Sequence, residues 1–421
     1  LFAFLPTFFS LFTTFYGIFI MTTALTNYPT FSALATQADI DLHWMRHALF
    51  LAAQGLYTAH PNPRVGCVIT QKNLAVAHGF HEKTGLGHAE ALAISMAKAN
   101  NISLKGATVY VTLEPCAHFG RTPPCADALI EAGVARVLVA LGDPYTAVAG
   151  KGISKLKAAG IQVEVGLCQA EAAALNRGFL SRVTRGRPWV TLKAAASLDG
   201  RTALQNGVSQ WITSATARAD VQHLRAQSCA ILTGSGTILA DNARLTVRHP
   251  PLIRQPTRIV VDGLLRTPAD AAVYEPNARV ILVTTLDDTA RHAAYLARGV
   301  TVWVLPLYEE VHEGAHKETL NVSCHVDLKT LMLKLGELDI NHLMVEAGSS
   351  LSQALLLNDC IDEIQLYLAP KILGSDAQGL FGALGLTQLP NNNWAIIDHQ
   401  KIGDDIKLTC HLRPSATTNL T

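Results

Sequence analysis

The reading of this chain turns on VTLEPCAHFGRTPPC, residues 111–125. An apolar run of strand character ends in Pro115-Cys116. A loop follows with a histidine, a glycine, an arginine and two prolines, and Cys125 opens CADALIEAGV, which has helical character. Just upstream, GHAEALAISMAKA predicts a helix opening after Gly87, with His88 and Glu90 in its first turn. A loop this rich in turn residues needs an anchor at each end, and thiols stand at both ends.

One imidazole and two thiolates make a three-ligand zinc set of His88, Cys116 and Cys125, leaving a fourth position for water. A thiolate at a helix N-terminus is favoured by the backbone dipole and the free amides. Glu90 is not a ligand in this reading. Beside the water, it takes a proton and passes it to a leaving amine. His-x-Glu, then Pro-Cys, then Cys is the layout of zinc deaminases, with one departure: eight residues, AHFGRTPP, separate the cysteines instead of two. A lone buried cysteine is usually a small core residue, so the joint order carries the inference.

Around this centre the pattern is regular. DLHWMRHALFLAAQGL has helical spacing and stops near Gly55; strands are predicted at Val65 to Thr70, NLAVAHGF, ATVYVTLEPC and ARVLVAL. This is a β-α-β-α-β order of open-sheet type, with polar residues at strand ends and helix starts, where such sheets bind ligands. After the basic connector SRVTRGRP (181–188) a second α/β pattern begins. Its strands are WVTLKAAAS, CAILTG, TRIVVDG, VILVTT and VTVWVL. A strand–turn–helix at INHLMVEAGSSLSQALLLN follows, and EIQLYLAPKILG is the last strand. SGTILADNARLTVR reads as turn-rich, and YEEVHEGAHKETLN as a polar loop.

The bulk numbers agree. A chain of 421 residues exceeds one ordinary core. The expected division is an extension at 1–38 outside the fold, a deaminase domain at 39–183 and a second domain at 187–414. A formal net charge of +1 leaves no electrostatic footprint for nucleic acid or an acidic membrane. Eight scattered cysteines lack the density of a disulfide scaffold and point to a reducing compartment, the cytoplasm. The first twenty residues, LFAFLPTFFSLFTTFYGIFI, are uncharged and long enough to span a bilayer. They lack the basic n-region of a signal peptide, and Met21 follows directly. They read as translated from upstream of a start at Met21, and no membrane is expected for the folded part.

Together, HPNPRVGCVI, GHAEALA, TLEPCAHFGRTPPC and KAAASLDGRTA resemble the bifunctional riboflavin biosynthesis deaminase–reductases, in order, over about residues 41–412. The eight-residue spacing is the one that family uses. The resemblance implies a cytidine-deaminase-like three-layer N-terminal domain with one zinc, and a dihydrofolate-reductase-like C-terminal domain using NADPH. It implies hydrolytic removal of the 2-amino group of 2,5-diamino-6-ribosylamino-4(3H)-pyrimidinone 5′-phosphate, then reduction of ribosyl to ribityl. A homo-oligomer is expected.

Carried onto this sequence, the zinc ligands are His88, Cys116 and Cys125, with Glu90 as proton shuttle. Asn62, His81, His118 and Arg121 fall where the family binds the deaminase substrate. An amide at Asn62 suits a pyrimidine edge, and Arg121 with His118 suits a phosphate. In the second domain no G-x-G-x-x-G follows a first strand. Gly-containing turns at VEAGSSLSQALL and LTGSGTILADN offer helix starts instead, weak signals by themselves. The family pattern assigns Ala195, Trp211, Thr237, Asp241 and the run Gly348, Ser349, Ser350 to the cofactor. It assigns Ser209, Arg225, Leu245, Arg248 and Glu346 to the substrate, with Arg225 and Arg248 clamping its phosphate. Asp199, in SLDGRTA, reads as a turn aspartate. Asn242-Ala243 departs from the family's usual Asp-Pro and puts the shape of that loop in question.

Two other readings compete. A zinc deaminase of nucleic-acid bases with a non-reductase second domain would want a basic stripe and stacking aromatics. A non-catalytic zinc module would want a fourth protein ligand, for which His118 is the candidate within the loop.

Overall fold

The computed structural model describes residues 36–117, 123–145, 149–250, 254–306, 326–390 and 393–413. The N-terminal run, His118, Arg121 and the polar loop YEEVHEGAHKETLN lie outside them. No helix among the described residues is long and apolar enough to cross a membrane.

The first half opens with α1 (Gln37–Ala53), capped by Thr36 and Asp39 in a reciprocal capping box. Strands β1 (Gly66–Gln71) and β2 (Leu74–Phe80) form a hairpin, followed by α2 (Ala89–Ala99), β3 (Thr108–Val111), α3 (Cys125–Glu131), β4 (Arg136–Val139), α4 (Lys151–Ala158) and β5 (Gln162–Val165). The sheet order is β2-β1-β3-β4-β5, with β3, β4 and β5 parallel. Side chains alternate across it as strand geometry requires. Cys67, Ile69, Val109, Val111, Val137 and Val139 pack on α2, α3 and α4. Val68, Tyr110 and Leu138 pack on α1 through Trp44, Met45 and Ala48. The result is three layers.

Helices α5 (Gln169–Leu175) and α6 (Arg177–Arg185) lead to the second half. Residues 181–185, read as connector, are the last turns of α6, which stops at Gly186 with φ 69°. The second half runs β6 (Trp189–Ser197), β7 (Arg201–Ala203), α7 (Ala215–Gln227), β8 (Ala230–Gly234), α8 (Ser235–Asp241), β9 (Thr257–Val261), β10 (Val280–Thr284), α9 (Thr289–Leu296), β11 (Thr301–Val304), α10 (Leu328–Glu337), β12 (His342–Val345), α11 (Ser349–Leu357), β13 (Glu363–Ala369), β14 (Gln378–Gly379), β15 (Trp394–Ile402) and β16 (Asp405–Leu412). Nine strands form one sheet, ordered β11-β10-β9-β8-β12-β6-β13-β16-β15, parallel from β11 to β13 and antiparallel beyond. Apolar layers lie on both faces, α10 and α11 on one and α7, α8 and α9 on the other. The α/β class and the two layered sheets match the expectation.

Two local expectations differ. Ser235–Asp241, read as turn, is helical: buried Ile238 holds it to the sheet, and Asn242 ends it with φ 44°. Strands β15 and β16 follow the strand taken as the last. In β16 the polar residues face inward: Lys407 meets Asp220, and Thr409 donates to Gln365, while Ile406 is exposed. An inverted alternation of this kind hides a strand from a hydrophobic pattern.

Candidate active sites

His88 is the N-cap of α2, with extended backbone, so its side chain projects from the helix start. Cys116 follows β3, and Cys125 is the first residue of α3. The three donor atoms lie within 4.8 Å of one another. His88 Nδ1 is 3.5 Å from Cys116 Sγ and 3.3 Å from Cys125 Sγ. Tetrahedral zinc with ordinary bond lengths separates such donors by about 3.6 Å. The donor set and its spacing therefore fit the ion. The Cys125 thiol, His88 and the Cys125 amide, which donates to Cys116 Sγ at 3.3 Å, favour the Cys116 thiolate against its burial and lower its pKa to about 4.

Glu90 stands in the first turn of α2 and is 3% exposed. Burial pushes its carboxyl up to about 7, against the opposing pull of its own amide and of His88. A dication on the three donors would act in the same direction as His88. His81 links the substrate side to the metal side. Asn62 Nδ2 donates to its Nε2 at 3.0 Å, and its Nδ1–H donates to Gly87 O at 3.1 Å, next to His88.

Sequence reasoning passed over Glu114, which ties the residue before the Pro-Cys turn to the start of α4. Its carboxylate accepts from the amides of Asp143, Gly150, Gly152 and Ile153. At Gly152 a Cβ would sit 1.9 Å from Pro115 O, so α4 packs directly on the Pro-Cys turn. The signal was present as an acidic residue inside an otherwise apolar strand end.

In the second half the expected residues gather at the C-terminal ends of neighbouring strands β8, β12 and β6. Ala195 lies on β6, Thr237 and Asp241 on α8, Glu346 just past β12, and Gly348 caps α11 with Ser349 and Ser350 in its first turn. The α11 start has no side-chain cap, and a Cβ on Gly348 or Gly236 would meet nothing within 4 Å. That open crevice with free helix amides suits the phosphates of a dinucleotide. Ser209 and Trp211 sit between β7 and α7; Trp211 is 61% exposed, with the Arg218 guanidinium 4.3 Å from its ring centre.

Arg225, expected to clamp a phosphate, stands in this structure against Glu346. Its fork is already occupied: Nε and Nη2 donate to the two Glu346 oxygens at 2.5 and 2.9 Å, and Nη1 donates to Thr246 O at 3.0 Å. Arg248 is exposed, with its backbone amide on Gln222. Leu245 is buried with φ 52°. Asn242 settles the shape of its own loop. It takes the left-handed conformation that asparagine tolerates, and its Oδ1 accepts from the Ala272 amide at 2.8 Å. Asp199 accepts from Ser197 and from the amides of Leu373 and Gly374, a turn lock as expected. The sequence reading also missed Lys193, two residues before Ala195 on the same face of β6. Burial pulls its amine down, with Glu346 and Arg225 the charges acting on it.

Two family models match, "RibD C-terminal domain" over residues 188–408 and "Cytidine and deoxycytidylate deaminase zinc-binding region" over 39–141. The chain is 46% identical to "Riboflavin biosynthesis protein RibD" of Escherichia coli, over 87% of this chain and 98% of that one. It is 43% identical to the protein of the same name from Haemophilus influenzae, over 88% and 96%. Among solved structures, Acinetobacter baumannii RibD matches with TM-score 0.77 at 40% identity, covering 90% of this chain and all of that one. A Thermotoga maritima protein described as a diaminohydroxyphosphoribosylaminopyrimidine deaminase/5-amino-6-(5-phosphoribosylamino)uracil reductase matches with TM-score 0.78 at 32% identity, with the same coverage. The chain belongs to the RibD family, bifunctional zinc deaminase and NADPH-dependent reductase enzymes of riboflavin biosynthesis.

Proposed function

We propose that residues 39–183 deaminate 2,5-diamino-6-ribosylamino-4(3H)-pyrimidinone 5′-phosphate and that residues 187–414 reduce the ribosyl group of the product to ribityl. The observation that carries the first step is the buried Glu90 carboxyl beside a three-donor cluster of zinc spacing. His88, Cys116 and Cys125 hold the ion. When bound, zinc supplies a Lewis acid that makes water acidic enough to lose a proton near neutral pH. Glu90 accepts that proton and returns it to the departing amine, which leaves as ammonia. Asn62 presents its amide to the pyrimidine edge, with His81, to which it is hydrogen-bonded, also assigned to the substrate; His118 and Arg121 are assigned to the phosphate.

For the second step, Ala195, Trp211, Thr237, Asp241 and Gly348, Ser349 and Ser350 seat the cofactor. Ser209, Arg225, Leu245, Arg248 and Glu346 face the substrate; Arg225 is paired to Glu346, and both Arg225 and Arg248 are assigned to the substrate's phosphate. Hydride transfer needs position and exclusion of water more than a side-chain nucleophile. We assign the protein to the cytoplasm and expect a homo-oligomer. The outer strand β15, which exposes Ile396 and Ile397, supports self-association.

The test supplies the diamino-pyrimidinone phosphate without NADPH and records ammonia, then adds NADPH and records its oxidation. Ammonia first and NADPH loss second is the expected result. A bound zinc with neither signal would reject the substrate, and deamination of nucleic-acid bases would be the next assay.

A further inference from the structure

The loop that carries Asn62 is not built by the deaminase half alone. Its inner side is tied within that half: Thr84 Oγ1 donates to Ala59 O and His60 O, and Asn62 reaches His81. Its outer side is tied to the other half. Asn341 Nδ2 donates to Pro61 O at 2.8 Å, and Cys229 Sγ lies 3.0 Å from His60 Nδ1.

Asn341 has little freedom to be anywhere else. It is 7% exposed, and its Oδ1 accepts from Arg182 Nε at 2.6 Å. Its carbonyl accepts from the Trp189 amide at 2.9 Å. Gly178 of α6 lies so close that a Cβ there would stand 2.7 Å from the same carbonyl. A fixed donor is thus aimed at the carbonyl one residue before Asn62. Both contacts come from the N-terminal ends of adjacent parallel strands. Cys229 precedes β8 and Asn341 precedes β12, and the other ends of these strands carry Ser235 and Glu346 in the reductase crevice.

We propose that Asn341, a residue of the reductase half, is a positioning residue for the deaminase reaction, setting the 59–62 loop so that the Asn62 amide meets the pyrimidine. The proposal rests on the reading of Asn62 as a substrate contact. Asn341→Asp keeps the acceptor for Arg182 and replaces the donor at Pro61 O with a repelling oxygen. In the full-length zinc enzyme it is expected to raise the deaminase KM about tenfold, leaving kcat, zinc content and the reductase KM for the deaminated substrate unchanged. Because Asn341 acts through the loop, it is expected to add nothing in an Asn62→Ala background. If Asn341→Asp does not yield folded protein, Asn341→Ser removes both amide contacts without adding charge and takes its place.

Three outcomes overturn the proposal. Asn62→Ala with an unchanged KM removes the underlying reading of Asn62 as well. A raised KM in Asn62→Ala with none in the Asn341 variant rejects the positioning role alone. So does an Asn341 variant in which zinc content and both activities fall together, the mark of general destabilisation.

Discussion

At the residue scale, Glu90 and Glu346 show how surroundings divide similar carboxyls between different tasks. At Glu90 burial outweighs the pull of its own amide and of His88, and its carboxyl is raised toward the range where a proton can be both taken and given. Glu90→Gln keeps the shape and removes the exchangeable proton. It is expected to retain stoichiometric zinc and lose ammonia release by about 10²–10⁴-fold, with NADPH oxidation on the deaminated substrate unaffected; metal analysis and the two assays check this. Glu346 is mostly buried, its side chain 13% exposed, yet its carboxyl is held below its ordinary value because Arg225 outweighs the burial. Arg225→Ala therefore leaves a mostly buried charge without its partner, at a cost of about 1–3 kcal/mol. Denaturant titration is expected to show that loss, and a further Glu346→Ala change in the same chain to recover part of it.

At the element scale, the zinc ligands are placed by helix starts and by one close approach. Two of the three donors come from the N-cap of α2 and the first residue of α3, neither of which has a side-chain cap. The third depends on α4 packing against Pro115 without an intervening side chain. Gly152→Ala would force that contact apart and shift Cys116. Competition with a chelator is expected to show zinc affinity reduced about tenfold or more, while NADPH oxidation on the deaminated substrate persists. Unchanged zinc affinity would mean that the close approach of α4 does not place Cys116.

At the scale of the whole molecule, each half has charges locked beneath its surface. Asp41 on α1 is 6% exposed and accepts from two Arg136 nitrogens and from Tyr110, tying α1 to β3 and β4. Burial acts to raise its pKa, but these donors outweigh it and the net direction is down. The carboxyl therefore titrates at lower pH in the folded chain than in the unfolded one. Its stabilisation is complete above the unfolded pKa of about 3.9 and is lost as pH falls through the lower folded value. Asp41→Asn is expected to cost about 3 kcal/mol at pH 7, with the gap from the parent chain closing below pH about 4. Thermal unfolding at the two pH values measures it.

The sequence by itself determined the α/β class, the two-part architecture and the zinc cluster, because each is written in local terms. Period-2 apolar runs make strands, and His-x-Glu and Cys at helix starts put donors on the first turns. It did not reveal β16, whose inward face is polar because Lys407 and Thr409 find Asp220 and Gln365 only after folding. It did not reveal the partner of Arg225, since a cation in a helix carries no record of the carboxylate that will face it 121 positions later. Only the tertiary structure decided that Glu114 and Gly152 tie the Pro-Cys turn to α4, and that Asn341 and Cys229 reach across to the Asn62 loop. Local spacing encodes what a segment can become; long-range packing decides which polar groups are left to meet a ligand.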